Sequence, residues 1–199
     1  YKYHYQEKLE EEEISKTIKS IAMIKDNISI KVKGQYEENP YPRWNNIGLS
    51  FAPKSLKNVI KDINLNIAEN SIPELPKPEI LIAGCGTGQH AITSASKYLN
   101  CNITAIDLSK SSLSYAIRKA KHFEYNNIKF LEGDILDLKR LNKKFNIIEC
   151  VGVLHHMDDP YNGWKCLKGC LRDDGLMYIG LYSELARQNI KLIRNEIKK

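Results

Sequence analysis

The chain has 199 residues, 42% hydrophobic and 27% charged, which supports one well-buried domain with an appendage. No apolar run approaches the roughly 20 residues of a membrane span, no signal peptide opens the chain, and five scattered cysteines suit reduced thiols in a cytoplasmic setting. A net charge of +6, from 30 basic and 24 acidic residues, is too modest to point to nucleic acid.

In residues 7–24, Leu9, Ile14, Ile18, Ile21 and Ile24 recur at helical spacing, predicting an amphipathic helix whose acidic run 10–13 is a solvated face. A linker follows to residue 34. Residues 35–44 hold Pro40 and Pro42, which impose extended or turn geometry, together with Tyr36, Tyr41, Arg43 and Trp44; solvated linkers are rarely so aromatic. A loop at 45–53, a helix at 56–67 and a linker marked by prolines 73, 76 and 78 complete a second segment, 35–78. From residue 79 to 199 strands and helices alternate: strands at 80–84, 102–107, 128–132, 145–151 and 176–181, and helices near 88–99, 110–124, 160–171 and 184–197. A short helix follows the third strand, and Asp173-Asp174-Gly175 reads as the turn into the fifth. This alternation predicts an α/β fold: a doubly wound, Rossmann-like, mostly parallel sheet in the order 3-2-1-4-5, with ligands at the carboxyl ends of the strands.

The first strand, Ile80-Leu81-Ile82-Ala83, runs into Gly84-Cys85-Gly86-Thr87-Gly88, and the second, Ile103-Thr104-Ala105-Ile106, ends in Asp107. Glycines in a strand-to-helix turn let a ligand approach the backbone, because no Cβ intervenes. A carboxylate about 20 residues later, at the next strand tip, can accept from ribose hydroxyls. Together they outline a nucleoside-binding crevice. Gln89 stands where a dinucleotide fold places its third glycine, which counts against an NAD(P)-dependent oxidoreductase.

The G-x-G-x-G spacing resembles motif I of the class I S-adenosylmethionine-dependent methyltransferases, and the resemblance extends over residues 79–181. Glu132-Gly133-Asp134-Ile135 falls where that family accepts from the adenine amino group and packs against its ring; capping is the other reading of Asp134. Residues 145–156 look like its motif IV, with Asn146 replacing a frequent Asp, a change of structural consequence. The resemblance implies S-adenosyl-L-methionine as cofactor, held by Gly84, Cys85, Gly86, Gly88, Asp107, Leu108, Asp134, Ile135 and Val151, and methyl transfer to a small-molecule or protein acceptor. It also implies a sixth and a seventh strand, for which the sequence offers no candidate after residue 181. Residues 36–44, 82–90 and 180–187 resemble a bacterial group in which this domain often follows tetratricopeptide repeats; no such repeat occurs here. A start at Tyr1 without methionine and an end at Lys199 within a helical pattern suit a piece of a longer protein, truncated after the fifth strand.

In-line methyl transfer depends on orientation and needs a base only if the attacking atom must lose a proton. His155 and His156, after the fourth strand, are the candidate bases, with packing as the alternative. Tyr41, Arg43 and Trp44 form a candidate lid, Arg43 gripping a carboxylate, or else a strap packed on the domain. Tyr182 and Arg187 fall where acceptor contacts are expected, or begin an ordinary helix capped by Ser183. Gln89 and His90 could reach the cofactor's amino-acid end or pack at a helix start. No metal motif appears, and Cys166 and Cys170, one helical turn apart, read as core. Val151-Gly152-Val153-Leu154 stands where base-amino methyltransferases carry their Asn/Asp-Pro-Pro-Tyr/Phe tetrad, which argues against a nucleic-acid acceptor. A non-catalytic module of the same fold is the remaining alternative.

Overall fold

A computed structural model describes residues 2–63, 65, 74–183 and 185–197; the carboxyl end of the helix predicted at 56–67, Pro73 and Glu184 lie outside the described residues. Strands β1 (Glu79–Ala83), β2 (Asn102–Asp107), β3 (Ile128–Glu132), β4 (Phe145–Val151) and β5 (Leu171–Gly180) form one parallel sheet in the order β3-β2-β1-β4-β5. This is the expected order. β1 lies at the centre, with Leu81 opposite Thr104 of β2 and Ile148 of β4.

The strands read as continuous apolar runs because both faces of the sheet are covered. Ile80, Ile82, Ile103, Ala105 and Ile147 pack one face against α3 (Leu56–Asp62), α4 (Gln89–Lys97) and α5 (Lys110–His122). Leu81, Ala83, Ile106, Ile148 and Cys150 pack the other against a 3-10 segment (Ile135–Leu141) and α6 (Pro160–Cys170). Cys170 is buried in that second cluster and Cys166 packs against it, as the core reading expects. Asn146 is structural: its Oδ1 accepts from the Glu79 amide at 3.0 Å, joining the starts of β4 and β1.

Four expectations need correction. Helix α1 (Lys2–Thr17) stops well before residue 24, because the chain turns to pair with the end of β3: Ile21 N–H donates to Glu132 O and Glu132 N–H to Lys19 O. A further helix, α2 (Asn27–Glu38), crosses the expected boundary at 34/35, its start capped by the Asp26 carboxylate on the Ser29 amide. The acidic run of α1 is only partly solvated, since Glu11 is buried in ion pairs with Arg43 and Arg118. Asp173-Asp174-Gly175 does not precede a strand; it lies inside β5. There Phe145 faces Leu171 and Ile147 faces Leu176, so the intervening residues form an irregularity in a longer strand.

After β5, a 3-10 turn (Leu185–Arg187) and α7 (Gln188–Ile197) follow. No described helix is long and apolar enough to cross a membrane.

Candidate active site

The tips of β1, β2, β3 and β4 converge on a cavity of about 580 Å³, roofed by α2 and the strap after it. Within the glycine turn, the three glycines do different work. Gly84 and Gly88 have φ of +73° and +84°, and a Cβ there would lie 2.3 Å from Val153 and 2.5 Å from Ala116 of α5. Gly86, at φ +52°, would meet only the Tyr41 carbonyl at 4.0 Å and so opens to the cavity. Gly88 does not line the cavity; it sets the spacing between α4 and α5.

Asp107 ends β2 with one oxygen accepting from the Gly86 amide at 2.8 Å and the other from Ser109 at 3.0 Å. A carboxylate has about four lone-pair directions, so these contacts leave it able to accept from a ligand. Burial pushes the Asp107 carboxyl up, partly offset by the Ser109, Gly86 and Leu108 amides and reinforced by the charge of Glu37. Asp134 both lines the cavity and caps the 3-10 segment, accepting from the Leu136 amide at 3.0 Å. Ile135 lies beside it, and Cys85, Leu108 and Val151 also reach the wall. Burial and the nearby Asp107 push the Cys85 thiol well up, so it stays protonated.

The strap docks through Thr87, whose hydroxyl donates to Pro42 O at 2.6 Å and whose carbonyl accepts from Trp44 Nε1 at 3.1 Å. Tyr41 lines the cavity, whereas Arg43 and Trp44 do not. Arg43 is drawn away to Glu11 and over the Tyr115 ring. Trp44 is buried edge-on to Tyr115 and stacked on Phe123. Both anchor the roof from outside, as in the strap reading, and Tyr41 is the one of the three that lines the cavity.

The histidine pair also divides. His156 and Tyr182 line the cavity; His155 lies behind them, its ring centroid 3.9 Å from that of Tyr182. The Arg187 side chain lies outside the described part of the chain. Cavity residues without a sequence signal are Ser29 and Val32 of the unpredicted α2; Tyr178 lay near the end of β5, which was its available signal, and Tyr36, expected in the strap, stands on α2. Glu37 of α2 accepts from the Lys110 and Ser111 amides at 2.7 and 3.1 Å, a negative charge at the start of α5. Lys33 pairs with Glu132.

The cavity fits a nucleoside joined to a sulfonium. Its size falls within the roughly 300–1,000 Å³ of small-molecule pockets. Among the described residues on its wall there is no lysine or arginine, so no fixed cation opposes a sulfonium.

Comparison with known proteins decides the family. A family described as a methyltransferase domain matches residues 77–199. The chain belongs to that methyltransferase family. It is 36% identical over 126 residues to an uncharacterized protein of Synechococcus sp., covering 63% of this chain and 30% of that one. It is 26% identical over 175 residues to the ubiquinone biosynthesis O-methyltransferase of Glaesserella parasuis, covering 84% of this chain and 70% of the enzyme. Among solved structures, PKMT2 of Rickettsia typhi in complex with AdoHcy superposes with a TM-score of 0.57 at 23% identity, over 63% of this chain and 25% of that one. This methyltransferase chain therefore spans less than a third of the Synechococcus and Rickettsia proteins it resembles. Its sheet and crossovers are those of the class I S-adenosylmethionine-dependent methyltransferase fold.

Proposed function

We propose that this chain binds S-adenosyl-L-methionine and transfers its methyl group to a small-molecule or protein acceptor. The carrying observation is the Gly86–Asp107 contact beside Asp134 and Ile135 on one cavity wall. Asp107 would take the ribose hydroxyls and Asp134 the adenine amino group, with Ile135 against the ring. When bound, the cofactor supplies an electrophilic methyl carbon on a sulfonium. Tyr36 and Tyr41 in the roof would exclude water, and Tyr178, Tyr182 and His156 would border the acceptor. The lack of lysine and arginine among the described wall residues suits a hydroxyl or amine acceptor better than a phosphate. His156 would take the proton from such an acceptor, with Tyr182 holding the ring's neighbour, His155.

Calorimetric titration with S-adenosylhomocysteine tests this reading. The wild-type chain is expected to bind, and Asp107→Ala to bind about 10–100-fold more weakly, the scale of losing hydrogen bonds to a charged group. A folded wild-type sample that does not bind would sink it.

A further inference from the structure

His90 opens α4 on the cavity wall, at the opposite side of the site from Asp134. Its ring is tethered to Glu149 of β4, and β4 lies three strands from β3, roughly 14 Å across the sheet. Nε2 stands 2.8 Å from Glu149 Oε2, which leaves Nδ1 as the nitrogen available to the cavity. Glu149 is buried beneath α4, and two neutral donors complete its shell: Ser94 Oγ at 2.6 Å and Tyr98 OH at 3.1 Å. Burial pushes the Glu149 carboxyl up, but hydrogen bonds from His90, Ser94 and Tyr98 hold it below its ordinary value. A buried carboxylate calls for a compensating charge, and of its three partners only His90 can carry one.

A charge on that ring would have a use. Asp107 and Asp134 follow β2 and β3, so an adenosyl half placed there leaves the β1 and β4 side of the cavity, where His90 lies, for the amino-acid tail. The tail carries a carboxylate beside its ammonium, and the wall's described residues include two aspartates, either of which suits the ammonium, but no lysine or arginine for the carboxylate. Arg43, the expected partner for it, is committed to Glu11 outside the cavity. We infer that His90, oriented by Glu149, binds the carboxylate of the cofactor's amino-acid tail. This deepens the proposed function and rests on it. In the protonated ring both nitrogens donate, Nε2 to Glu149 and Nδ1 to the tail, so one imidazolium bridges a buried anion and a bound one. Glu149 is a positioning residue: it fixes which nitrogen faces the cavity.

Two ligands that differ only at the tail test the inference. S-adenosylhomocysteine carries the amino-acid group; 5′-methylthioadenosine has the same adenosyl thioether with a methyl in its place. Their affinities are measured by calorimetry for the wild type, His90→Gln, Glu149→Gln and His156→Gln. His90→Gln is expected to weaken S-adenosylhomocysteine about tenfold, the scale of one charge-assisted contact, while 5′-methylthioadenosine changes less than about twofold. Glu149→Gln is expected to shift the same ratio in the same direction.

A merely structural His90 would weaken both ligands alike, and that result, or no change in either, overturns the inference and leaves the carboxylate to the amides of the first α4 turn. A selective loss in His156→Gln instead of His90→Gln overturns it too. Should His90→Gln fail to fold, imidazole ¹⁵N shifts in the wild type decide: the His90 signals are expected to move with S-adenosylhomocysteine and not with 5′-methylthioadenosine. A wild type that binds 5′-methylthioadenosine as tightly as S-adenosylhomocysteine overturns this inference alone; one that binds neither overturns the proposed function as well.

Discussion

At Asp107 two effects pull in opposite directions. Burial raises its carboxyl above the ordinary aspartate value near 3.9, and backbone amides draw it only partly back. Ribose hydroxyls donate to the ionised form, so protonation removes their acceptor. Cofactor affinity is therefore expected to fall on acidification from a pH above the ordinary aspartate range, in calorimetric titrations across pH on a sample shown to stay folded. The sign for folding is opposite. Between its unfolded and folded pKa the native carboxyl holds more proton than the unfolded chain, so this group costs stability at neutral pH and the cost fades as pH falls. The glycines separate binding from folding more directly. Gly88→Ala forces a Cβ against Ala116 and is expected to lower unfolding free energy by about 1–3 kcal/mol in urea titrations. Gly86→Ala meets no close neighbour but is strained at φ +52°, so it is expected to cost some stability and, by filling the cavity wall, to weaken S-adenosylhomocysteine as well. The sequence showed a glycine turn; it did not show which glycine faces ligand, because that depends on α5 and the loop after β4 arriving at the other two.

The strands and core helices were legible because each has a single strong period and a clear punctuation mark. Helix α2 was not. Ile28, Ile30 and Val32 alternate with Ser29 and Lys31, a two-residue period, and Gly34 interrupts any helical run. The helix forms nonetheless, capped by Asp26 and fastened through Lys33 to Glu132 and through Glu37 to α5. A tertiary ion pair and tertiary hydrogen bonds override a weak local preference. The bulged β5 was missed for the converse reason: Asp-Asp-Gly is turn chemistry, and the register shift against β4 absorbs it without ending the strand. Since Glu37 latches the roof, Glu37→Ala is expected to speed S-adenosylhomocysteine release several-fold in stopped-flow chases, with a cost to global stability of only about 1 kcal/mol. An unchanged release rate would mean that Lys33 and the Trp44 anchor suffice.

Across the whole molecule, the walls of the cavity come from residues 84–182 and its roof from residues 29–42. Trp44 is held by Thr87, Tyr115 and Phe123, and Ile21 by Glu132, so the roof has no seat until α5 and β3 exist. In a Trp164→Phe background, fluorescence reports Trp44 alone, and its burial during refolding is expected to lag the far-ultraviolet signal of the sheet. Simultaneous phases would contradict that order. Synthesis sharpens the point, because a ribosome adding about 5–20 residues per second releases the roof first and its seat last. For several seconds the nascent chain carries Trp44 with nothing to cover it, the transient apolar exposure that makes incomplete chains prone to aggregate. The same aromatic segment that shelters a ligand in the finished protein is thus its most vulnerable passage while the chain is being made.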